Sequence, residues 1–130
     1  MKTYVATHLE EEQPDTVIVL AGGNDLQTKR DNPTPVEDIA NHIIEIGNIC
    51  STYGVANIII SSVIIRRTPY MVKRWRELNN ILKGMCIDFN FTFIDNNNIS
   101  TDDLANDGVH LNEDGNIKLA NNFLASLNNI

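Results

Sequence analysis

The sequence predicts an α/β fold in which a parallel sheet carries helices on both of its faces. The runs that resemble strands are apolar without interruption instead of alternating with polar residues, which is typical of strands buried on both sides. Helical patterns separate these runs, so the predicted order of elements is α-β-α-β-α-β-α. With 130 residues, 42% of them hydrophobic and 21% charged, residues 1–130 fit one soluble domain.

The first helix and the first strand lie at the start of the chain. Residues 2–13 carry apolar side chains on one side of a helix, and Pro14 ends it. The run of residues 16–21 is apolar and β-prone throughout, which indicates a buried strand. No apolar leader precedes the helix, so no signal peptide is predicted and a cytoplasmic location is expected.

The second helix is predicted from the residues at its ends. Thr34 as N-cap, Pro35 at the first helical position and Glu37 three residues after the cap form a capping box. Gly54 is predicted to end the helix, since glycine accepts the left-handed conformation at a helix C-terminus. A second buried strand then follows over residues 57–62.

A long helix, a third strand and a last helix complete the order. From Met71 to Phe89, apolar residues recur at spacings of 3 and 4, which predicts a helix whose stripe faces the core. Residues 91–94 are predicted to form the third strand, and Asn112 to cap the last helix. The apolar positions of that helix are expected to face inward: Ile117, Ala120, Leu124 and Leu127.

Charge, histidines and cysteines narrow the classes of function. The net charge of −7 argues against direct binding of nucleic acid or an anionic membrane, and no apolar run reaches the about 20 residues of a membrane span. Cys50 and Cys86 lie in apolar helical patterns and are predicted to be reduced core thiols. His8, His42 and His110 lack metal-ligand spacing, and no phosphate-binding glycine loop is present, so neither a metal nor a cofactor is expected.

The loop after the first strand could bind a ligand. Gly22 and Gly23 allow the backbone to approach a ligand closely, and Asn24, followed by Asp25, offers an amide donor at the sheet edge. The carboxyl ends of parallel strands are where such folds place their chemistry. The same residues are also ordinary turn formers, so spacing alone leaves a simple turn open.

The loop before the last helix could hold a catalytic base. Asp107 stands three residues before His110, where a carboxylate can accept the imidazole N–H and orient the ring as a general base. A loop histidine is also often merely solvated, and the spacing alone does not decide between the two interpretations.

Taken together, the two loops resemble those of the SGNH (GDSL-type) hydrolase family. A Gly-x-Asn-Asp run directly after a buried strand and an Asp-x-x-His-Leu run just before the C-terminal helix carry the similarity, which extends from about Tyr4 to Leu127. This resemblance implies a three-layer α/β/α sandwich with a flavodoxin-like parallel sheet of strand order 2-1-3-4-5. It also implies hydrolysis of a small ester or acylated substrate by acyl transfer.

The same resemblance implies a role for each residue of the two loops. Asn24 would donate its amide to the oxyanion, His110 would be the general base and Asp107 would orient it, as acyl transfer requires. The residues that support the Asn24 loop would be Gly22, Gly23 and Asp25.

Two members of the family's catalytic set are absent from the sequence. The family's nucleophilic serine lies in a Gly-Asp-Ser motif after its first strand, and a glycine after the next strand donates to the oxyanion, whereas residues 1–13 contain no serine and no glycine. Ser61 and Ser62 stand where the family has no nucleophile. The sequence is therefore expected to be a partial family domain, truncated at its N-terminus and inactive alone; the alternative is a non-catalytic binding module, a pseudoenzyme of the same fold.

Two surface features add expectations about partners. Without the family's first strands, the run Thr16–Ala21 becomes an exposed apolar edge, which favours self-association or complementation by a separate N-terminal piece. Half of the basic residues lie within eleven positions, either as a solvated helix face or as a docking patch for an anionic partner: Arg66, Arg67, Lys73, Arg74 and Arg76.

Overall fold

The computed structural model describes residues 2–27 and 31–130 as an α/β structure. Its helices are α1 (Lys2–Glu12), α2 (Gly23–Gln27), α3 (Val36–Thr52), α4 (Val72–Phe89) and α5 (Glu113–Leu127), and its strands are β1 (Thr16–Val19), β2 (Asn57–Ser61) and β3 (Thr92–Ile94). Two 3₁₀ turns, Pro69–Met71 and Thr101–Asp103, precede α4 and α5. The predicted order of elements is confirmed, with α2 as a short helix that the sequence did not indicate.

The strands of the described residues form one parallel sheet in the order β1-β2-β3. Val17 is in register with Ile58, and Ile60 with Phe93. The helices α3 and α4, which connect successive parallel strands, pack against each other and therefore lie on the same face of the sheet. This consecutive order is the one that a flavodoxin-like sheet has in its last three strands.

Alternate residues of β2 are buried on opposite faces of the sheet. Ile58 and Ile60 join the main core cluster beneath α3 and α4. Ile59 and Ile94 are also buried but lie outside that cluster, on the face that α5 approaches through β3. The sheet is thus flanked by helices on both faces, as predicted.

The start of α3 differs from the prediction, while its end agrees with it. Pro35 is the N-cap and has an extended ψ of 138°, so the helix begins at Val36 and no side chain caps it. The predicted capping box of Thr34 is therefore wrong, because the helical backbone starts one residue later than that box requires. At the other end, Gly54 has a φ of +83° and its N–H donates to the Ser51 carbonyl at 3.0 Å, as the prediction of a glycine stop requires.

The last helix begins as predicted but does not bury the predicted face. Asn112 caps it by accepting a hydrogen bond from the Gly115 N–H at 2.9 Å. The expectation that its apolar stripe faces inward is wrong, because Ile117 is 52% exposed and Leu124 is 55% exposed. Polar contacts hold α5 instead, among them the ion pair between Lys118 Nζ and the Asp103 carboxylate at 2.9 Å.

The long helix α4 carries the stripe that the sequence predicts. Leu78 and Leu82 are completely buried in the main cluster, and Cys86 is almost completely buried there. Cys50 and Cys86 are both buried free thiols, in agreement with the prediction. Phe89, the last member of the stripe, is half exposed and stacks on Phe91 with ring centroids 5.9 Å apart.

Candidate active site

An open cleft of about 780 Å³ lies beyond the carboxyl ends of β1 and β2. Side chains from the Asn24 loop, the Arg66 segment, the His110 loop and helices α3 and α5 line it. The two loops singled out in the sequence thus meet at one edge of the sheet, as the fold requires. The lining residues that bear on the chemistry are Leu20, Asn24, Asp25, His42, Arg66, His110 and Leu119.

The first loop turns sharply into the short helix α2. Gly22 has a φ of +102°, and its carbonyl accepts a hydrogen bond from the Leu26 N–H at 3.1 Å. A Cβ at Gly22 would lie 3.0 Å from Ile43 Cδ1, so the glycine also permits close packing on α3. Asn24 follows in the first turn of α2 with an exposed side chain on the cleft.

The second loop holds a carboxylate–imidazole pair. Asp107 Oδ2 contacts His110 Nδ1, and Asp107 Oδ1 accepts hydrogen bonds from the backbone N–H groups of Val109 and His110, both at 2.9 Å. These hydrogen bonds hold the pKa of Asp107 well below its usual range. The bond with the His110 ring contributes most, and the two backbone N–H groups contribute less. An ionised Asp107 fixes the ring through Nδ1, which leaves Nε2 as the nitrogen available to a substrate.

The backbone of the second loop is tied to neighbouring segments. Gly108 has a φ of +71°, and its carbonyl accepts from the Arg67 N–H at 2.9 Å. The Ala105 N–H donates to the His110 carbonyl at 2.7 Å. A Cβ at Gly108 would lie 2.9 Å from Arg67 Cβ, so the close approach of these two segments depends on glycine.

Most of the basic cluster holds loops together. Arg67 Nη2 donates to the Thr101 carbonyl at 2.9 Å, and Arg74 Nη1 donates to the Leu26 carbonyl at 2.8 Å. Lys73 forms only a loose 4.0 Å ion pair with Glu77 on the surface of α4. Arg67 and Arg74 therefore bind backbone carbonyls of distant segments, whereas their position in the sequence predicts a solvated helix face or a docking patch.

Arg66 is a site residue that the sequence analysis did not identify as a partner of Asn24. Its Nη2 donates to Asn24 Oδ1 at 2.9 Å, and its Nη1 donates to Gln27 Oε1. Burial lowers the pKa of Arg66 below its ordinary value. One signal was available in the sequence: Arg66 follows the second strand and Asn24 the first, so both lie at the same edge of the sheet.

Ser61 and Ser62 are placed away from the cleft. Both are buried, and Asn96 Nδ2 donates to Ser61 Oγ at 2.8 Å while the Asn96 N–H donates to Ser62 Oγ at 2.9 Å. Neither hydroxyl lines the cleft, and among the described residues no serine does. That neither serine serves as a nucleophile stays a prediction.

The described residues contain neither a candidate metal site nor a helix that could span a membrane. Within residues 2–27 and 31–130, no group of three or more histidine, cysteine, aspartate or glutamate side chains could hold a metal ion. In the same ranges, none of the helices has both the length and the apolar character that crossing a membrane requires.

The geometry supplies three of the groups that acyl transfer uses. His110 can take a proton at Nε2, Asp107 can stabilise the imidazolium that forms, and Asn24 can donate its amide to an anionic oxygen. Asn24 and His110 share one cleft, and Asp107 contacts His110 from behind. Within the described ranges, no hydrogen-bond partner is found for Asn24 Nδ2.

Solved structures with a similar fold include two esterases and a lipase. A carbohydrate esterase family 3 protein from Talaromyces cellulolyticus matches 95% of this chain with a TM-score of 0.82 at 18% identity, and the chain spans 61% of that protein. Est24, a carbohydrate acetylesterase from Sinorhizobium meliloti, matches 97% with a TM-score of 0.77 at 24% identity, over 67% of its own length. A GDSL-like lipase from Bacteroides thetaiotaomicron matches 99% with a TM-score of 0.78 at 15% identity, over 71% of its length.

The sequence comparison agrees with the fold. No curated protein matches the chain. The profile of the GDSL-like lipase/acylhydrolase family matches residues 2–116, which include the Asn24 loop and the Asp107–His110 pair. The chain therefore belongs to the GDSL-like lipase/acylhydrolase family, the SGNH hydrolases.

Proposed function

We propose that this chain carries the general base, its orienting carboxylate and one oxyanion donor of a carboxylic-ester hydrolase. The observation that supports this most strongly is the convergence of Asn24 and the Asp107–His110 pair on one cleft at the carboxyl edge of the sheet. The similar carbohydrate esterase and acetylesterase make acetyl esters the first substrates to test.

In the proposed reaction a serine hydroxyl attacks the ester carbonyl while His110 Nε2 removes its proton. The carbonyl oxygen becomes an oxyanion that accepts a hydrogen bond from Asn24 Nδ2. Collapse of the tetrahedral intermediate breaks the ester bond, and His110 returns the proton to the departing alcohol. Water then attacks the acyl group by the same route, which releases the acid and restores the serine.

We further propose that the serine comes from outside these 130 residues and that the chain has no esterase turnover by itself. In a serine hydrolase, loss of the nucleophile costs about 10⁶ in kcat. The purified chain should therefore remain unlabelled by a fluorophosphonate probe, and its hydrolysis of 4-nitrophenyl acetate should match that of His110→Ala. Stoichiometric labelling of one serine, read by mass spectrometry, would overturn the claim of inactivity.

The coding sequence ahead of Met1 distinguishes the two hypotheses, an enzyme and a pseudoenzyme. An in-frame Gly-Asp-Ser segment would favour the enzyme, and the longer protein should then hydrolyse acetyl esters. In that protein His110→Ala should lower kcat by about 10⁶, Asp107→Asn by about 10⁴, and Asn24→Ala by about 10² to 10³. A stop codon directly ahead of Met1, with no separate serine-bearing partner, would favour the non-catalytic binding module.

A further inference from the structure

We propose that Arg66 is the positioning residue of this site: it fixes the side-chain amide of Asn24 so that Nδ2 is the group presented to the cleft. This inference rests on the proposed function in one respect only, namely that the group accepting a hydrogen bond from Nδ2 is the oxyanion of an ester substrate. The orientation itself concerns side chains that the structure describes, and it can be measured whether or not the chain hydrolyses an ester.

The chemistry of guanidinium decides which end of the amide faces Arg66. A guanidinium group has only donors, so its neighbour at 2.9 Å must be an acceptor, here Asn24 Oδ1. Rotating the amide by half a turn would place Nδ2 against Nη2, two donors facing each other. The hydrogen bond thus excludes the orientation in which the carbonyl oxygen faces the substrate, where it would repel an oxyanion.

The positive charge should also make the remaining donor stronger. A hydrogen bond from an ionised donor is stronger than one between neutral groups, and it polarises the amide that accepts it. Polarisation draws electron density toward Oδ1 and leaves the Nδ2 hydrogens more positive. Arg66 thus acts on the oxyanion through Asn24 and needs no contact of its own with the substrate.

The structure holds the guanidinium in place for this task. Its second nitrogen, Nη1, donates to Gln27 Oε1, and Gln27 Nε2 in turn donates to Thr68 Oγ1 at 3.4 Å. A Cβ at Gly23 would lie only 2.7 Å from Arg66 Nη2, so glycine at that position leaves the room that the planar group occupies. The rigid fork spans two amide oxygens at once, which a lysine ammonium on a flexible stem cannot do.

Nuclear magnetic resonance of the labelled chain tests whether Arg66 fixes the Asn24 side chain. Three-bond couplings from Asn24 Cγ to its backbone nitrogen and carbonyl carbon report χ1, and ¹⁵N relaxation of Nδ2 reports mobility; Asn24→Ala identifies the signals. In the parent chain we expect a single staggered rotamer and a rigid amide. In Arg66→Met we expect the Asn24 side chain to lose its single rotamer and its rigidity. The couplings should then be averaged over rotamers, and the Nδ2 group should be mobile.

Matched variants separate positioning from a general structural effect. Arg67→Met removes a neighbouring guanidinium that bonds to Thr101 and should leave the Asn24 couplings unchanged. Gly23→Ala, whose Cβ would lie 2.7 Å from Arg66 Nη2, shifts the guanidinium without deleting it and should weaken the restraint on Asn24 less than Arg66→Met does. A rigid, single-rotamer Asn24 in Arg66→Met with an otherwise native backbone spectrum would overturn the proposal, and so would equal loss in Arg67→Met.

Discussion

The Asp107–His110 pair is well formed but poorly protected from water. The His110 side chain is 81% exposed and that of Asp107 is 49% exposed. Hydrogen bonds and charges act far more strongly where water is excluded, so the same pair in a covered cleft would bind and polarise a substrate better. This exposure within the described residues is thus a second reason, besides the proposed lack of a nucleophilic serine, to expect little catalysis from residues 1–130 alone.

Cys50 and Cys86 should resist thiol reagents as long as the chain is folded. Burial raises the pKa of both thiols, that of Cys86 to about 11. The thiolate is the reactive form, so at pH 8 Ellman's reagent should label neither residue in buffer and both in urea. Rapid labelling of Cys86 in the native chain would contradict its buried position.

The raised pKa of Cys86 also predicts a loss of stability at high pH. A thiol whose pKa is higher in the folded chain stabilises that chain fully below its ordinary value near 9, and the contribution is lost as pH rises toward about 11. Urea unfolding at several pH values should show a steeper decline for the parent than for Cys86→Ala, which lacks the titrating group.

At the scale of single residues, sequence patterns predicted the two loops but not the contacts between them. Gly22, Asn24 and His110 could be singled out because their residue types and positions after strands carry chemical meaning. The bond between Arg66 and Asn24 joins residues far apart in sequence, and arginine is common on helix and loop surfaces. Only the folded arrangement shows that this guanidinium ends on an amide oxygen.

At the scale of elements, α5 is tightly seated at its first turn and open along the rest of its length. A Cβ at Gly115 would lie 2.4 Å from the Asp103 carbonyl oxygen, so the helix start approaches the preceding turn as closely as glycine allows. Farther along, the exposed Ile117 and Leu124 have no cover among the described residues. The apolar stripe was correctly predicted as helical, but periodicity does not reveal whether a second surface is present to pack against it.

Two glycines in helices should respond to alanine in opposite directions. Gly115→Ala should destabilise the fold by about 2 kcal/mol, because overpacking against the rigid backbone at Asp103 outweighs the gain in helix propensity. A Cβ at Gly84 in α4 would have no atom within 4 Å. Gly84→Ala should therefore stabilise the fold by about 0.5 to 1 kcal/mol, because alanine has the higher helix propensity. Urea unfolding measures both, and a stable Gly115→Ala variant would contradict the close seating of α5.

At the scale of the whole molecule, the sheet ends in a strand that has no neighbour on one side among the described residues. Within residues 2–27 and 31–130, β1 pairs only with β2, and Leu20 just beyond it is 42% exposed. An apolar groove of about 370 Å³ runs beside this strand between α1 and β1, lined by Val5, Leu9 and Val17. We propose that the Thr16–Ala21 edge pairs with another strand, either from a second copy of the chain or from a serine-bearing segment.

Light scattering at high micromolar concentration tests the pairing of this edge. The parent chain should self-associate, and Ile18→Lys should abolish the association because a charge on an edge strand blocks a new partner. Ile117→Lys, on the exposed stripe of α5, is the matched control and should associate like the parent. A parent chain that stays monomeric, or association lost only in Ile117→Lys, would count against pairing through β1.

The fold class was predictable because it follows from patterns that local sequence carries. Continuous apolar strands, helical stripes and glycine stops fixed the order of elements and the parallel sheet, although β1 ends at Val19 and not at Ala21. The start of α3 was misplaced because Pro35 adopts an extended ψ that residue type alone does not reveal. Burial of α5 could not be predicted, since it depends on how many strands lie beneath the helix.

The adjacent arginines after β2 tie two different loops, Arg66 the Asn24 loop and Arg67 the segment around Thr101. Two adjacent residues thus link the loop that carries Asn24 to the segment that precedes the Asp107–His110 loop. An insertion or deletion between Ser61 and Arg66 should therefore disturb both ties at once, whereas Arg67→Met should release only the Thr101 segment.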